Sequence, residues 1–557
     1  MLLSRMLVVS AVTMAVAGLC AWASEGGPSL TFPPALPVFD SQVENAEPAP
    51  PAAVAPPPAQ ASPNALAPEI GDRLAASDGN LTAADREDRA ALAKLYEARQ
   101  HEPVWVEASG LSPAGRAVVA EIARANDWGL EAAAFRLSSL PAGARELGRA
   151  ERADAEIAIG FAVLKYARYA RGGRAQPTSL SRNIDRQLSL LEPGRVIEAA
   201  VKAEKPDAYL RSLHPKHAQF ELLRQKYLAV KRGQPILTAD AEAVAEDGKA
   251  GRRKTAAPEG ASAQKLLVNM EQWRWMPDDL GDFYVWVNVP EFMIRVVRGG
   301  KVIHTERVVV GKPDTQTPIF SDEMEQVIFH PFWGVPDSIK KADIQPSLAR
   351  GSSRVLERYN LRIQYNGKDI DPQGVDWATA DMRKFHVYQP PGGENLLGVV
   401  KFRFPNKHDV YMHDTPQKNL FNAGVRAFSH GCMRVREPQR LAELLLAADQ
   451  AWPASRVAAA INGGPQNNQI NLRQKIPVHI TYFTAAVDED GRLKLFSDIY
   501  GHERRIALGL EGKTQLLAQL LKQEKVPAIA EPIGRLSETS IPGSRFKTDW
   551  ERRAFER

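Results

Sequence analysis

The chain is 557 residues long, 44% hydrophobic, and carries a formal net charge of +5. That length suits about two to four domains with real apolar cores. The charge is too small for such a length to make a case for nucleic acid, and it suits an acidic polymer surface only weakly.

At the amino terminus Arg5 precedes an apolar run over residues 6–19, and Ala21-Trp22-Ala23 then offers the small-x-small pattern of a signal-peptidase site. The run holds Ser10 and Thr13 and falls short of the roughly 20 apolar residues of a membrane span. Residues 1–23 therefore read as a cleaved signal peptide and the chain as exported to the periplasm. An uncleaved anchor and a lipoprotein signal ending at Cys20 are the rival readings, the second weakened by Leu19. Cleavage after Ala23 would leave Cys432 as the sole cysteine of the two. An odd cysteine in an exported protein is a free reactive thiol, a partner for another chain, or a buried inert group.

Residues 24–69 are rich in Pro and Ala with few large apolar side chains, which predicts an extended, disordered linker. Over 70–232 apolar residues recur at helical intervals, as in Leu92-Leu95-Tyr96, Ile157-Phe161-Leu164 and Phe220-Leu223-Tyr227. A helical scaffold domain follows from that period, interrupted at Pro103-Val104-Trp105 and at Gly172-Gly173. Residues 233–264 turn polar, with a basic cluster at Lys249, Arg252, Arg253 and Lys254, and read as a second linker.

From residue 265 the period changes. Runs at 283–289, 292–297, 302–310, 327–329, 399–402, 410–412, 478–483 and 493–496 are β-branched and aromatic, with Gly299-Gly300 marking a hairpin turn. Strands at 478–483 and 493–496 are expected to close this domain, and a helix is expected over 441–448. The stretch 337–390 alternates poorly between confident strands and is expected to be an inserted lid. The fold class is thus multidomain α+β: a helical scaffold domain, then a mainly-β domain at 265–505, then a C-terminal extension at 506–557.

The chemistry gathers in Tyr411-Met412-His413-Asp414-Thr415-Pro416 and Ser429-His430-Gly431-Cys432-Met433-Arg434-Val435. A thiolate attacks and a nearby imidazole takes the thiol proton, so Cys432 with His413 is the minimum for thiol catalysis. Gly431 would let the backbone approach closely enough to offer amide donors to an oxyanion. Zinc is the competing reading, from His408, His413, His430 and Cys432, although His430 and Cys432 flank a glycine in no usual spacing and no second cysteine is available.

Those two segments resemble the signature of L,D-transpeptidases with a YkuD-type catalytic domain. The resemblance extends to Trp273-Arg274-Trp275, Gly311-Lys312, Thr317-Pro318, Trp333-Gly334-Val335-Pro336, Asn395-Leu396-Leu397-Gly398, Lys401-Phe402, Phe404-Pro405-Asn406 and Tyr482-Phe483-Thr484, and covers about residues 265–505. The helical half resembles more weakly the scaffold domain of the large periplasmic members.

The resemblance implies Cys432 as nucleophile and His413 as base, with the backbone carbonyl of Asp414 orienting the imidazole. It implies Gly431 and Cys432 amides and the Tyr411 hydroxyl around the oxyanion. Ser429, His430 and Arg434 would shape the pocket and hold a peptide stem, the Arg434 guanidinium suiting a carboxylate, and Trp333 and Tyr388 would line the stem groove. Structural roles remain open for these: an ion pair for Arg434, core packing for Trp333 and Tyr388.

The implied reaction is acyl transfer between peptidoglycan stems, with a second stem, an envelope protein, a D-amino acid or water as acceptor. Water would make the enzyme an L,D-carboxypeptidase, and a catalytically silent wall-binding scaffold is the alternative of another class. The resemblance further implies a role in wall synthesis and cell shape, carbapenems as inhibitors, and no metal or organic cofactor. Two departures stand out: His330 occupies a place where asparagine is expected, and no peptidoglycan-binding module separates scaffold from catalytic domain.

Overall fold

The computed structural model describes residues 66–76, 81–137, 148–239 and 262–524. The predicted signal peptide, the Pro/Ala linker up to residue 65, the basic cluster of the second linker and the last residues of the extension lie outside the described residues.

The scaffold half is built from α1 (Ala67–Ala75), α2 (Ala83–Ala98), the two-residue strands β1 (Val106–Glu107) and β2 (Gly110–Leu111), α3 (Pro113–Ala123), α4 (Arg149–Gly172), α5 (Pro177–Leu180), α6 (Pro193–Lys202), α7 (Pro206–Ser212) and α8 (Ala218–Lys231). Thr82 starts α2 with a capping box, its hydroxyl accepting from Asp85 N–H while the Asp85 carboxylate accepts from Thr82 N–H. The central helix is α4, which buries Ile157, Ile159, Val163, Leu164 and Tyr166 among Leu92, Tyr96, Val118, Ile122 and Ile197. Helix α4 also carries Glu156, fully buried. Its carboxylate accepts the N–H groups of Val104, Trp105 and Val106 at 2.6, 2.8 and 2.9 Å and the Tyr96 hydroxyl. The break predicted at Pro103 is therefore a turn whose free donors one carboxylate collects.

Helix α9 (Ala263–Trp273) leads into the β half. Strands β3 (Phe283–Asn288), β4 (Met293–Arg298), β5 (Lys301–Gly311) and β6 (Ser321–Phe329) follow the predicted alternation. Gly299 and Gly300 between β4 and β5 both have positive φ, 54° and 71°, as a two-residue turn of that kind demands.

An insertion then holds β7 (Trp333–Gly334), α10 (Asp337–Ile339), a π-helical turn at Lys340–Ile344, α11 (Gln345–Ala349), α12 (Arg354–Arg358), β8 (Arg362–Tyr365), β9 (Lys368–Asp369) and β10 (His386–Gln389). Its four strands form a separate sheet in the order β7-β10-β8-β9 over a core of Trp333, Ile344, Leu356, Ile363, Trp377 and Val387.

The chain returns through β11 (Val400–Arg403), β12 (Met412–His413), β13 (Ala427–Ser429), β14 (Met433–Val435), α13 (Pro438–Gln450), α14 (Ala454–Gly463) and β15 (Asn468–Thr481). The main sheet runs β13-β5-β14-β12-β11-β6-β15-β3-β4, and β4 also pairs with β5, so the sheet closes on itself as a barrel. Val285, Val287, Val308, Val327, Phe402, Met412, Met433 and Ile480 fill it, and Leu441 and Leu445 of α13 pack against it.

Two expectations need correction. The strand at 493–496 does not close the barrel: β16 (Ala485–Val487) and β17 (Leu493–Leu495) make their own ribbon, packed with Phe220, Leu266 and Trp273 of the helices. The extension at 506–557 does not start at a boundary, because α15 (His502–Leu510) runs through residue 506. Together with α16 (Thr514–Gln523) it buries Ile506, Leu510 and Leu517 against Ala175, Leu180 and Ile184 of the scaffold half.

The two halves are knitted by backbone. Ile319 N–H donates to Asn183 C=O at 2.7 Å and Asp185 N–H to Ile319 C=O at 2.9 Å. Asp185 then pairs with His408 at 3.0 Å and Lys407 at 2.9 Å.

Candidate active site

Strand β12 lies between β11 and β14, with Lys401 opposite His413 on one side and Arg434 opposite His413 on the other. Alternation sends Phe402, Met412 and Met433 into the barrel core, each fully buried. The intervening residues Lys401, Tyr411, His413 and Arg434 therefore share the other face. Met433 N–H donates to Tyr411 C=O at 3.0 Å, which sets Cys432 beside Tyr411. Tyr411 reaches the Cys432 sulfur with its backbone N–H and its hydroxyl. Tertiary pairing thus joins the two distant segments on one face.

His413 is 5% exposed, and its Nδ1–H donates to the Asp414 carbonyl at 2.5 Å. That bond fixes the tautomer and leaves Nε2 to take a proton. Burial, reinforced by the Arg434 charge, holds the imidazole down to about 3, so it is neutral across the physiological range. Burial pushes the Cys432 thiol up, against the pull of the Tyr411 hydrogen bonds and the Lys401 charge. The resting pair is a thiol with a neutral imidazole, the state suited to a general base.

The Asp414 carboxylate accepts Val399 N–H at 2.9 Å and the Lys418 ammonium at 2.5 Å. A Cβ on Gly398, whose φ is +59°, would come within 2.2 Å of Asp414 Oδ2, so only glycine fits there. Asn395 ties the insertion to this point, its side-chain NH2 donating to Pro331 and Pro390 carbonyls at 3.1 and 2.9 Å.

The Cys432 loop corrects several sequence expectations. Gly431 has φ +117°, a conformation side chains resist, but its N–H is not offered to an oxyanion; it donates to Ser429 Oγ at 3.1 Å. Ser429 is 2% exposed and its hydroxyl donates to Cys432 C=O at 2.6 Å, so it braces the loop and does not face a substrate. Sequence reasoning gave no role to Thr317, whose hydroxyl donates to Gly431 C=O at 2.7 Å and accepts from Gly311 N–H at 2.9 Å. Tyr388 is 3% exposed within the insertion's own sheet, its hydroxyl donating to Asp369 at 3.3 Å. Trp333 is also buried, in the insertion's core, against which Tyr411 packs, and it hydrogen-bonds the Tyr411 hydroxyl. Neither aromatic lines a groove.

Arg434 makes no ion pair with a carboxylate among the described residues; its Nη1 donates to Gln417 at 2.6 Å and its buried Nε has no partner. His430 is exposed, close enough to Lys312 and to Asp343 of the insertion to feel their charges. The zinc donors are not brought together, since His408 turns to Asp185 while His413 binds the Asp414 carbonyl.

Comparison with known proteins agrees with this layout. Residues 282–457 match the family described as the L,D-transpeptidase catalytic domain, YkuD, and residues 90–226 match the Scaffold domain family. Strand β15, which pairs with both β3 and β6, lies beyond the catalytic match, so the barrel needs more chain than the family covers. A Haemophilus influenzae protein whose name provisionally assigns it as an L,D-transpeptidase is 30% identical over 245 residues, which is 44% of this chain and 49% of that protein. The chain thus spans about half the length of this curated relative.

Among solved structures, an L,D-transpeptidase from Mycobacterium smegmatis is 13% identical, covering 36% of this chain and 58% of that one with a TM-score of 0.17. An LD transpeptidase in complex with imipenem is 15% identical, covering 36% and 59%, also at 0.17. Likeness at that level carries no weight for function. Residues 282–457, which hold most of the barrel and the Cys432 loop, thus match the YkuD L,D-transpeptidase catalytic domain family, behind residues 90–226 that match the Scaffold domain family.

Proposed function

We propose that the chain is an exported peptidoglycan L,D-transpeptidase with Cys432 as nucleophile and His413 as general base. The observation that carries this reading is the common face of Cys432, Tyr411, His413 and Arg434, with the His413 tautomer fixed by Asp414. The Cys432 sulfur attacks the carbonyl of the third residue of a tetrapeptide stem while its proton passes to His413 Nε2. The Cys432 amide and the Tyr411 hydroxyl hold the oxyanion. Collapse breaks the bond to the terminal D-alanine, whose amine takes the proton from His413, and a thioester remains. An amine of a second stem, losing its proton to His413, then attacks the thioester and releases the thiol, which gives a link between two third-position residues.

Arg434, without a carboxylate of its own, is suited to a stem carboxylate, and exposed His430 to the wall of the same pocket. The insertion at 337–390 acts as the lid over this face. An envelope protein serves as acceptor if its amine reaches the same thioester, and water would convert the reaction to hydrolysis.

Intact mass after incubation with a carbapenem tests the nucleophile, beside Cys432→Ala and with digestion of products from stem peptides. One adduct lost in Cys432→Ala, with third-to-third linked dimers, is the expected result. No adduct on the wild type would remove the catalytic assignment and favour a silent wall-binding scaffold.

A further inference from the structure

The acyl-transfer reading gives Lys401 no task, although it stands on the same face as Cys432 and His413. It lies directly opposite His413 in the β11–β12 pair, and its Nζ sits 3.9 Å from the centre of the Tyr411 ring. That ring in turn stands edge-on to His413, with centroids 5.7 Å apart, and sends its hydroxyl and N–H to the Cys432 sulfur. Two other lysines with buried side chains are paired with carboxylates, Lys265 with Glu503 and Lys340 with Asp337, and half-buried Lys165 donates to the Ala134 carbonyl. Lys401 pairs with no carboxylate among the described residues. Lys401 is half-buried, and a partly desolvated ammonium without a carboxylate partner carries a cost of which a ring face repays only part.

We infer that Lys401 is a positioning residue of this site: its ammonium clamps the Tyr411 ring against Cys432 and supplies a positive charge near neutrality that favours the thiolate. The inference rests on the acyl-transfer reading for its purpose, but its effect on the sulfur is measurable without any substrate. The groups facing the sulfur are Tyr411, Lys401, Asp409 and Arg434, and those facing Lys401 are Cys432, Arg403 and Asp409. Asp409 is the one anion in this set and opposes thiolate formation. Burial lowers Lys401 to about 8, so at neutral pH it remains mostly an ammonium and its charge fades before the raised thiol titrates. Removing it leaves burial to push the thiol up with one fewer opposing charge.

The experiment follows alkylation of Cys432 by iodoacetamide against pH in the full chain, by intact mass, for wild type, Lys401→Met and Lys401→Arg. Lys401→Met is expected to slow alkylation at pH 7, where the wild-type ammonium is charged, about tenfold. Lys401→Arg, which keeps a cation over the ring, restores most of the rate. If Lys401→Met does not fold by near-ultraviolet circular dichroism, Lys401→Gln is read in its place. An unchanged rate at pH 7 in a folded neutral variant overturns the inference. Carbapenem adducts scored on the same samples keep the two readings apart. Slowed alkylation in Lys401→Met without a wild-type carbapenem adduct upholds Lys401 and removes the transpeptidase reading. A normal adduct with an unchanged rate at pH 7 does the reverse.

Discussion

Glu156 in the scaffold half and Cys432 in the barrel half are ionisable groups that burial pushes towards their neutral forms, and their surroundings differ. The Glu156 carboxylate is saturated, with three backbone N–H donors and the Tyr96 hydroxyl converging on it. Around Cys432 the bonds run the other way: the loop behind it is saturated by Ser429 and Thr317, while the buried Nε of Arg434 has no partner. A buried group with every bond made is a fastening; a face with rigid backing and unfilled donors is prepared for a ligand.

The largest effect that sharpens this comparison is on chemistry. His413→Gln should lower the carbapenem acylation rate roughly 100- to 10,000-fold with the thermal midpoint little changed, measured by stopped-flow quenching and calorimetry. Equal losses of rate and stability would make His413 a fastening like Glu156. The converse change is Glu156→Ala, which strands three backbone donors and should cost roughly 3 kcal/mol in urea unfolding. Cys432 in the folded fraction should still alkylate at the wild-type rate.

Acid should find the buried histidines of the barrel half. Burial holds His413 and His502 down to about 3 and His479 to about 4. Because these folded-state values are depressed, the unfolded chain binds more protons below the ordinary histidine value of about 6.5. Stability is therefore complete above about 6.5 and is lost as pH falls towards 3 to 4. The melting temperature should drop between pH 7 and pH 4.5, and His502→Leu, which removes a ring with two unpartnered buried nitrogens, should flatten that slope. The smallest effect lies between the halves. Asp185→Ala loses the contacts to Lys407 and His408 and should cost under about 1 kcal/mol, since Lys407 is largely exposed and backbone bonds keep the 183–185 segment in place.

Legibility followed the range of the interaction involved. Helices of the scaffold and strands β3 to β6 were readable because alternation and helical period are local, and the Gly299-Gly300 turn because positive φ selects glycine. The ribbon of β16 and β17 was misplaced because its pattern is the same whether it joins a barrel or packs on helices; only partners such as Phe220 and Trp273 decide. Tyr388 and Trp333 were left between groove and core for a similar reason, since an aromatic on a strand gives no sign of which face a neighbouring sheet covers.

By itself the sequence determined the order of a helical half and a strand-rich half, the identity of Cys432 and His413 as the pair to examine, and the glycines that the turns require. The tertiary structure decided the rest: closure of the barrel through β4 and β5, the use of Gly431 N–H by Ser429, and the place of Lys401 above Tyr411. Each of these depends on pairing between segments distant in the chain, and register between strands is set by the whole packed core, which no short window of sequence contains.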